Sequence, residues 1–377
     1  MAPLLSVPAQ SHLQMIADLQ AAAVSEKVIY RRQVAPAAVG VQPLPLIHGT
    51  ESFVPGWLAN WHSQHHEWAP DDIACYSILD AVISGAGQIW LGGRVVTSPE
   101  IMPIYVHNVL ELACGGSEAF WAATRLPVRS INVPCLVAIG HGIHVYGHFL
   151  IELLFRILVA SEAFNKSGLT YHILLDRALP SWLLKIITED LGVDGSRLEF
   201  FEPDREQILL RHAIVPARAL GKESFHPFAS HLIDHLLERL LIQKADRPKR
   251  IFVARKRFQN PFAPNRICLN EQNLADIAAK RHCLVPIAIE DMSWREQIAV
   301  FRDADVIIGQ AGSGLHNALF SRAGSRLASI GFMNLVQSEI GALRNQHNAF
   351  LMNGVTLSGE YVVDEASFKT FLDQVCD

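Results

Sequence analysis

What this chain lacks narrows its reading first. Six cysteines (Cys75, Cys114, Cys135, Cys268, Cys283 and Cys376) are scattered over 377 residues with no C-x-x-C pair. That spacing excludes a disulfide framework or a zinc ribbon and predicts reduced thiols. The opening M-A-P-L-L-S-V-P-A-Q-S-H has neither a basic n-region nor a continuous apolar run, so no secretory signal is expected. The longest apolar stretch, Phe149 to Ala160, is broken by Glu152 and Arg156 and falls short of the ~20 residues a membrane helix needs. With a net charge of −5 and a pI near 6.4 there is no basic footprint for nucleic acid. These absences together predict a soluble, cytoplasmic protein.

Several catalytic strings are missing as well. There is no G-x-G-x-x-G, no G-x-x-x-x-G-K-[ST], no G-x-S-x-G elbow and no H-E-x-x-H, which removes the commonest dinucleotide, P-loop, serine-hydrolase and zincin arrangements. No internal repeat or low-complexity tract is seen.

What is present is a chain rich enough in apolar residues for a large core, 50% hydrophobic and 18% charged, and long enough for two domains. Residues 11–30 carry helical spacing (Leu13, Ile16, Leu19, Ala23), and a Pro-rich connector runs from Val34 to Pro45. Short β-type runs fill 72–106, punctuated by Gly85, Gly87, Gly92 and Gly93 as in a hairpin stack. From Pro134 the pattern alternates. Strands are predicted at 136–139, 170–175, 198–201 and 208–215, with helices at 147–164, 181–191 and 228–242. The polar K-A-D-R-P-K-R reads as a linker. Beyond it come strands at 250–254, 284–287, 306–308 and 326–330, and helices at 271–281, 294–302 and 314–320. Two runs of β–α units predict an α/β protein of two Rossmann-like lobes, residues 1–243 with the β-rich segment and residues 244–377.

The stretch A-D-V-I-I-G-Q-A-G-S-G-L-H-N-A-L-F, Ala304 to Phe320, is the most informative. Strand, glycine turn and helix follow one another there, and a helix N-terminus at a strand's carboxyl end suits an anion such as a diphosphate. An ordinary strand-to-helix turn is the bland alternative. Arg255, Lys256 and Arg257 follow the strand I-F-V-A, with Arg266, Asn270 and Glu271 after them. Arginines at a strand end suit bidentate phosphate contacts, against the alternative of a solvated basic turn. In H-F-L-I-E-L-L-F-R the residues His148, Glu152 and Arg156 fall at i, i+4 and i+8 on an otherwise apolar helix. A Glu152–Arg156 ion pair is one reading; His148 as a general base is the other. The groupings His141/His144/His148, His62/His65/His66 and His231/His235 lack the carboxylate or thiolate spacing of a metal site.

With these residues assembled, the chain resembles the family 61 glycosyltransferases from about Leu136 to Gly331. Y-G-H-F-L-I-E-L-L-F-R resembles that family's N-[FY]-Y-H-W-[LI]-x-E-x-L-P-R. A-R-K-R with Arg266 and Asn270-Glu271 resembles its S-R-x and R-x-[IL]-x-N-E. S-W-R-E-Q-I-A-V-F-R-D-A resembles S-x-x-E-Q-[IV]-x-L-F-x-x-A, and Q-A-G-S-G-L-H-N-A-L-F resembles H-G-A-G-L-T-N-x-[IL]-F. Gln310 is taken to replace the family's histidine, glycine precedes His148 where the family has an aromatic, and Phe155 replaces its proline.

The resemblance implies a GT-B-like architecture, two lobes facing a cleft with an N-terminal β-rich extension. It also implies inversion at the anomeric carbon, no cofactor and no obligatory metal. The implied partners are a nucleotide-sugar donor, UDP-linked, and a glycan or lipid-linked glycan acceptor, with no nucleic acid and with room for peripheral membrane association. His148, Glu152 and Arg156 would be catalytic. Arg255, Arg257, Arg266, Asn270, Glu271, Glu296, Gly312, Ser313, Gly314 and Asn317 would hold the donor. The competing readings are a non-catalytic nucleotide- or glycan-binding subunit and a nucleotide-sugar hydrolase or epimerase.

Overall fold

The structure, a computed structural model, describes residues 15–38, 40–41, 45–49, 67–68, 72–98, 100–101, 118–140, 142–165, 167–220, 224–243, 246–255, 266–352 and 359–377. Its contacts divide the chain into two units, residues 1–37 with 71–222, and residues 38–70 with 223–377. The division falls at 222/223 rather than at the 243/244 expected. Helix Phe228–Arg239, whose Ser230 and Asp234 bond Arg344, goes with the second unit.

The first unit is built on a mixed sheet of ten strands. Its parallel part runs Gln207–Pro216, Cys135–Val137, His172–Asp176, Leu198–Phe201. On the other edge of Gln207–Pro216 lies Ile73–Ser84, antiparallel, followed by the hairpin strands Gln88–Leu91 and Arg94–Val96. The glycine-punctuated segment expected near 72–106 is therefore a hairpin stack over the residues described, and it continues the sheet instead of standing apart. Helical spacing at 11–30 gives way to a short helix, Leu19–Ser25, between strands Met15–Ile16 and Ile29–Ala35.

One helical stretch covers this sheet from Tyr146 to Phe164. It is α at Tyr146–His148, π at Phe149–Leu153 and α again at Leu154–Phe164. Leu150, Leu153, Leu154 and Val159 are wholly buried, each contributing roughly 1.5–3 kcal/mol by leaving water. Interior residues surround it, which is why its sequence is apolar nearly all round.

The second unit carries a six-stranded, all-parallel sheet in the order Val285–Ala288, Arg250–Ala254, Val306–Gln310, Arg326–Gly331, His347–Met352, Leu46–His48. Strand Val306–Gln310 is buried throughout, the continuous apolar run of a strand covered on both faces. Helices Glu271–His282 and Trp294–Asp303 connect its neighbours, the latter opened by a Ser293/Glu296 capping box. A separate parallel pair joins Arg266–Cys268 to Gly359–Tyr361.

Both sheets share one topological device. In the second unit the chain passes from Arg250–Ala254 to Val285–Ala288 on one side, then returns to Val306–Gln310 on the other. In the first it runs outward from Cys135–Val137 through His172–Asp176 and Leu198–Phe201, then returns to Gln207–Pro216. Such reversals leave a crevice beyond the carboxyl ends of the two central strands, where open α/β sheets bind ligands.

Glu339, in helix Leu335–Leu343, is 7% exposed, and burial pushes its carboxyl up to about 8. Because the folded value lies above the unfolded one, Glu339 favours the fold at low pH. That advantage is lost between pH ~4.5 and ~8, by at most about 1.4 kcal/mol per pH unit. Glu339→Gln is expected to match wild type in urea midpoint near pH 4.5 and to exceed it increasingly toward pH 8. Parallel midpoints across that range would refute the assignment.

Candidate functional site

The second unit's crevice collects most of the predicted donor residues. Arg255 directly follows strand Arg250–Ala254, and Gly312 follows Val306–Gln310, so the strand reversal alone brings them together. A methyl group added at Gly312 would stand 3.6 Å from Arg255 Nη1, so the guanidinium lies over the glycine turn. Ser313 begins a 3₁₀ helix, Ser313–Phe320, where an α-helix was expected; no side chain caps its N-terminus. Gly314 packs so closely that an added methyl would come within 2.9 Å of Ile289. Asn317 is wholly buried and donates to Gln297 Oε1 and Gly314 O, both at 3.2 Å, holding the turn from beneath.

Arg266 enters from the small two-stranded sheet. Its guanidinium stacks over Phe332 at 4.2 Å from the ring centroid. Burial lowers its pKa first, and the neighbouring Arg255 charge lowers it further. Among the described residues, Arg255 Nη1 and Arg266 Nε and Nη1 are buried without a hydrogen-bond acceptor. Unsatisfied charged donors are costly, and phosphate oxygens are the acceptors that planar guanidinium groups fit best.

A chain of side chains fixes this arrangement. Tyr361 donates its hydroxyl to Gln310 Oε1 at 2.9 Å. Gln310 Nε2 donates to Glu271 Oε1, which also accepts the backbone N–H of Arg255 at 2.9 Å. Gln310 is therefore a positioning residue, tied at both ends of its amide. Counted back from Asn317, the quoted H-G-A-G-L-T-N motif puts the family histidine at Ala311, one residue after Gln310. Ala311 is buried, so neither position offers a base.

The remaining predicted donor residues have other partners. Asn270 clasps Val363, donating to its carbonyl at 2.8 Å and accepting its N–H at 3.1 Å. Glu296 is taken up by the capping box, accepting from the N–H and hydroxyl of Ser293 at 2.7 and 2.6 Å. Arg257 lies outside the described residues, as do Lys256, His141, His62, His65 and His66.

In the first unit His148 Nδ1 is 2.7 Å from Glu152 Oε1, with side-chain exposures of 21% and 9%. Arg156 does not pair with Glu152. It donates Nη1 to Ile139 O at 2.5 Å, because the extra residue of the π turn shifts the phase of the helix between 148 and 156; such π insertions gather at functional sites. In the tautomer that donates Nδ1–H to the Glu152 carboxylate, the ring lone pair is on Nε2. The imidazole packs on Gly142, whose φ is +77°; a methyl there would stand 3.1 Å from His148 Cδ2.

Sequence patterning missed Tyr361, Phe332, Arg218 and Gly142. Arg218, pulled down to about 10 by burial, feels Glu152 and Arg156. Only Gly142 left a local signal, a glycine in G-H-G-I close before His148. Among the described residues no group of three or more His, Cys, Asp or Glu is placed to hold a metal ion, and no helix is long and apolar enough to cross a membrane.

Residues 146–328, just under half of the chain, match the family model described as Glycosyltransferase 61. No curated protein matches the chain. The matched region includes His148, Glu152, Arg255 and the Gly312–Gly314 turn, and ends before Tyr361.

Arg255→Ala is expected to weaken pyrophosphate or nucleoside diphosphate binding by about 1.5–3 kcal/mol, the worth of a hydrogen bond to a charged group, with little change in fold stability. An unchanged calorimetric Kd would place the anion elsewhere.

Proposed function

We propose that this protein is an inverting glycosyltransferase that moves a sugar from a nucleotide-diphosphate donor, UDP-linked, to a hydroxyl of a glycan or lipid-linked glycan. The observation that carries this reading is the pair of guanidinium groups, Arg255 and Arg266, whose buried Nη1 and Nε/Nη1 atoms have no acceptor among the described residues, at the strand reversal of the second unit, with Arg255 over Gly312. The match of residues 146–328 to a glycosyltransferase family supports it. A GT-B-like pair of Rossmann-type lobes, with the donor on the second, is part of the same proposal.

The chemistry follows from charge. As the anomeric C–O bond breaks, negative charge collects on the departing diphosphate; Arg255, Arg266 and the N-terminal amides of the Ser313–Phe320 helix are fixed donors for it. Prepaid orientation matters here, since Glu271 holds the Arg255 backbone and Phe332 the Arg266 plane. On the other reactant, His148 Nε2 takes the proton of the attacking hydroxyl, and Glu152 stabilises the imidazolium that forms. Attack from the face opposite the leaving group inverts the anomeric centre. With two guanidinium groups on the diphosphate, a divalent cation is not needed as leaving-group stabiliser.

Three measurements test this. His148→Ala is expected to lower kcat by about 10²–10⁴-fold while donor Kd stays within a few-fold; loss of both would make His148 structural. Transfer is expected to survive EDTA, and loss restored by Mn²⁺ would overturn the metal-free chemistry. Incubation of UDP-sugars with and without glycan acceptors separates the rivals. Acceptor-independent turnover would mean a hydrolase or epimerase, and binding without turnover a non-catalytic subunit.

A further inference from the structure

The strand reversal of the first unit also encloses a cavity, of ≈ 30 Å³. Its wall combines the carboxyl ends of the two central strands (Val137, Ile139, Val215, Pro216) with the hairpin turn at Gly87 and Gln88 and with Arg156. Every other lining residue is apolar or glycine, and no carboxylate is among them. Arg156 is 7% exposed. Its guanidinium makes one hydrogen bond among the described residues, Nη1 to Ile139 O. Gly87, at φ +98°, closes the hairpin onto that same carbonyl; a methyl there would stand 3.2 Å from it.

Among the described residues the surrounding charge does not balance. Glu152 is the one acid there that acts electrostatically on both Arg156 and Arg218; its Oε1 is engaged by His148 and its Oε2 makes no hydrogen bond. Two buried guanidinium groups thus share a single carboxylate without a direct pair, and Arg218 Nε has no acceptor among the described residues. A surplus positive charge in an apolar enclosure requires a counter-anion. Size then limits what enters: the volume holds about one or two waters, or one planar carboxylate, and is too small for a phosphate ester or a sugar ring, so an acidic sugar would insert its carboxylate with the ring left outside the partly open cavity.

We propose that this cavity is a binding site for a single carboxylate-sized monoanion, held by Arg156 with the Gln88 amide as a second donor. The ligand is either a free small anion or the carboxylate of an acidic sugar. The site is independent of the donor crevice, and its test needs no turnover.

The test is thermal unfolding of the full chain, titrated with sodium formate while sodium methanesulfonate keeps the ionic strength constant; the tetrahedral sulfonate head is too bulky for the cavity. Formate is expected to raise Tm saturably, by about 3 °C at ten times its Kd, and Arg156→Gln to abolish the rise. Glucuronate against glucose separates the sources. Saturation by glucuronate at lower concentration than formate assigns the site to an acidic sugar, and saturation by formate alone assigns it to a free anion. Should Arg156→Gln not fold, wild-type crystals soaked in bromide are expected to show an anomalous peak beside Arg156. An unsaturable response, an unchanged response in Arg156→Gln, or bromide-soaked crystals without that peak would overturn the proposal.

Discussion

Positive charge buried without matching negative charge is the constraint on which this structure turns. A guanidinium group removed from water loses hydration that only acceptors restore. At most surface sites the protein supplies them: Arg129 with Glu206, Arg281 with Asp373, Arg247 with Asp303. At the two strand reversals the described residues form no such pair. Arg255 and Arg266 in one unit, with Glu271 and Glu290 near Arg255, and Arg156 and Arg218 in the other, with Glu152 near both, sit where the sheet opens and bond no carboxylate through their guanidinium groups. A fold maximising its own stability would place acids there. Leaving the donors unmatched costs stability, which is the ground for the proposal that they meet an anion from outside.

The side chains around Arg255 show how such a group is held open. Glu271 is close by, yet it accepts from the Arg255 backbone and from Gln310, which leaves its charge near the guanidinium without neutralising it through a direct pair. Tyr361 fixes the far end of Gln310. An amide at 310 suits this role better than an imidazole, since it donates to the carboxylate and accepts from the phenol at any pH. At the position of the resembled motif's histidine the chain has a buried alanine, Ala311, with the hydrogen-bonded Gln310 just before it.

Local patterning made much of the fold legible. Strands 198–201 and 250–254 fell where β-type runs were bounded by polar residues, and the helix expected at 294–302 is found at Trp294–Asp303. What stayed illegible depends on non-local pairing. Nothing near Cys75 tells that it pairs antiparallel with Pro216 of a strand far downstream, turning an expected parallel sheet into a mixed one. The π turn at Phe149–Leu153 is invisible to a 3.6-residue period, so the i, i+4, i+8 strip suggested a Glu152–Arg156 pair that does not form. Of the candidate site residues, Arg255 and Gly312, which the structure sets side by side, could be singled out because strand ends are readable. Tyr361 reaches Gln310 only through the pairing of Gly359–Tyr361 with Arg266–Cys268, and no periodicity encodes that.

The second unit's sheet ends on a strand from near the start of the chain: Leu46–His48 pairs in parallel with His347–Met352. Closing that contact spans about 300 residues, an entropic cost that grows only slowly with loop length. Its effect on timing is larger. On the ribosome, Leu46–His48 is made long before His347–Met352 and has no edge to join until then, and residues 71–222 of the first unit are synthesised in the interval. This edge of the sheet is therefore completed by the return of an early segment to a late strand. Until then, His347–Met352 presents an open ladder of unpaired backbone groups, the kind of surface on which other chains add strands.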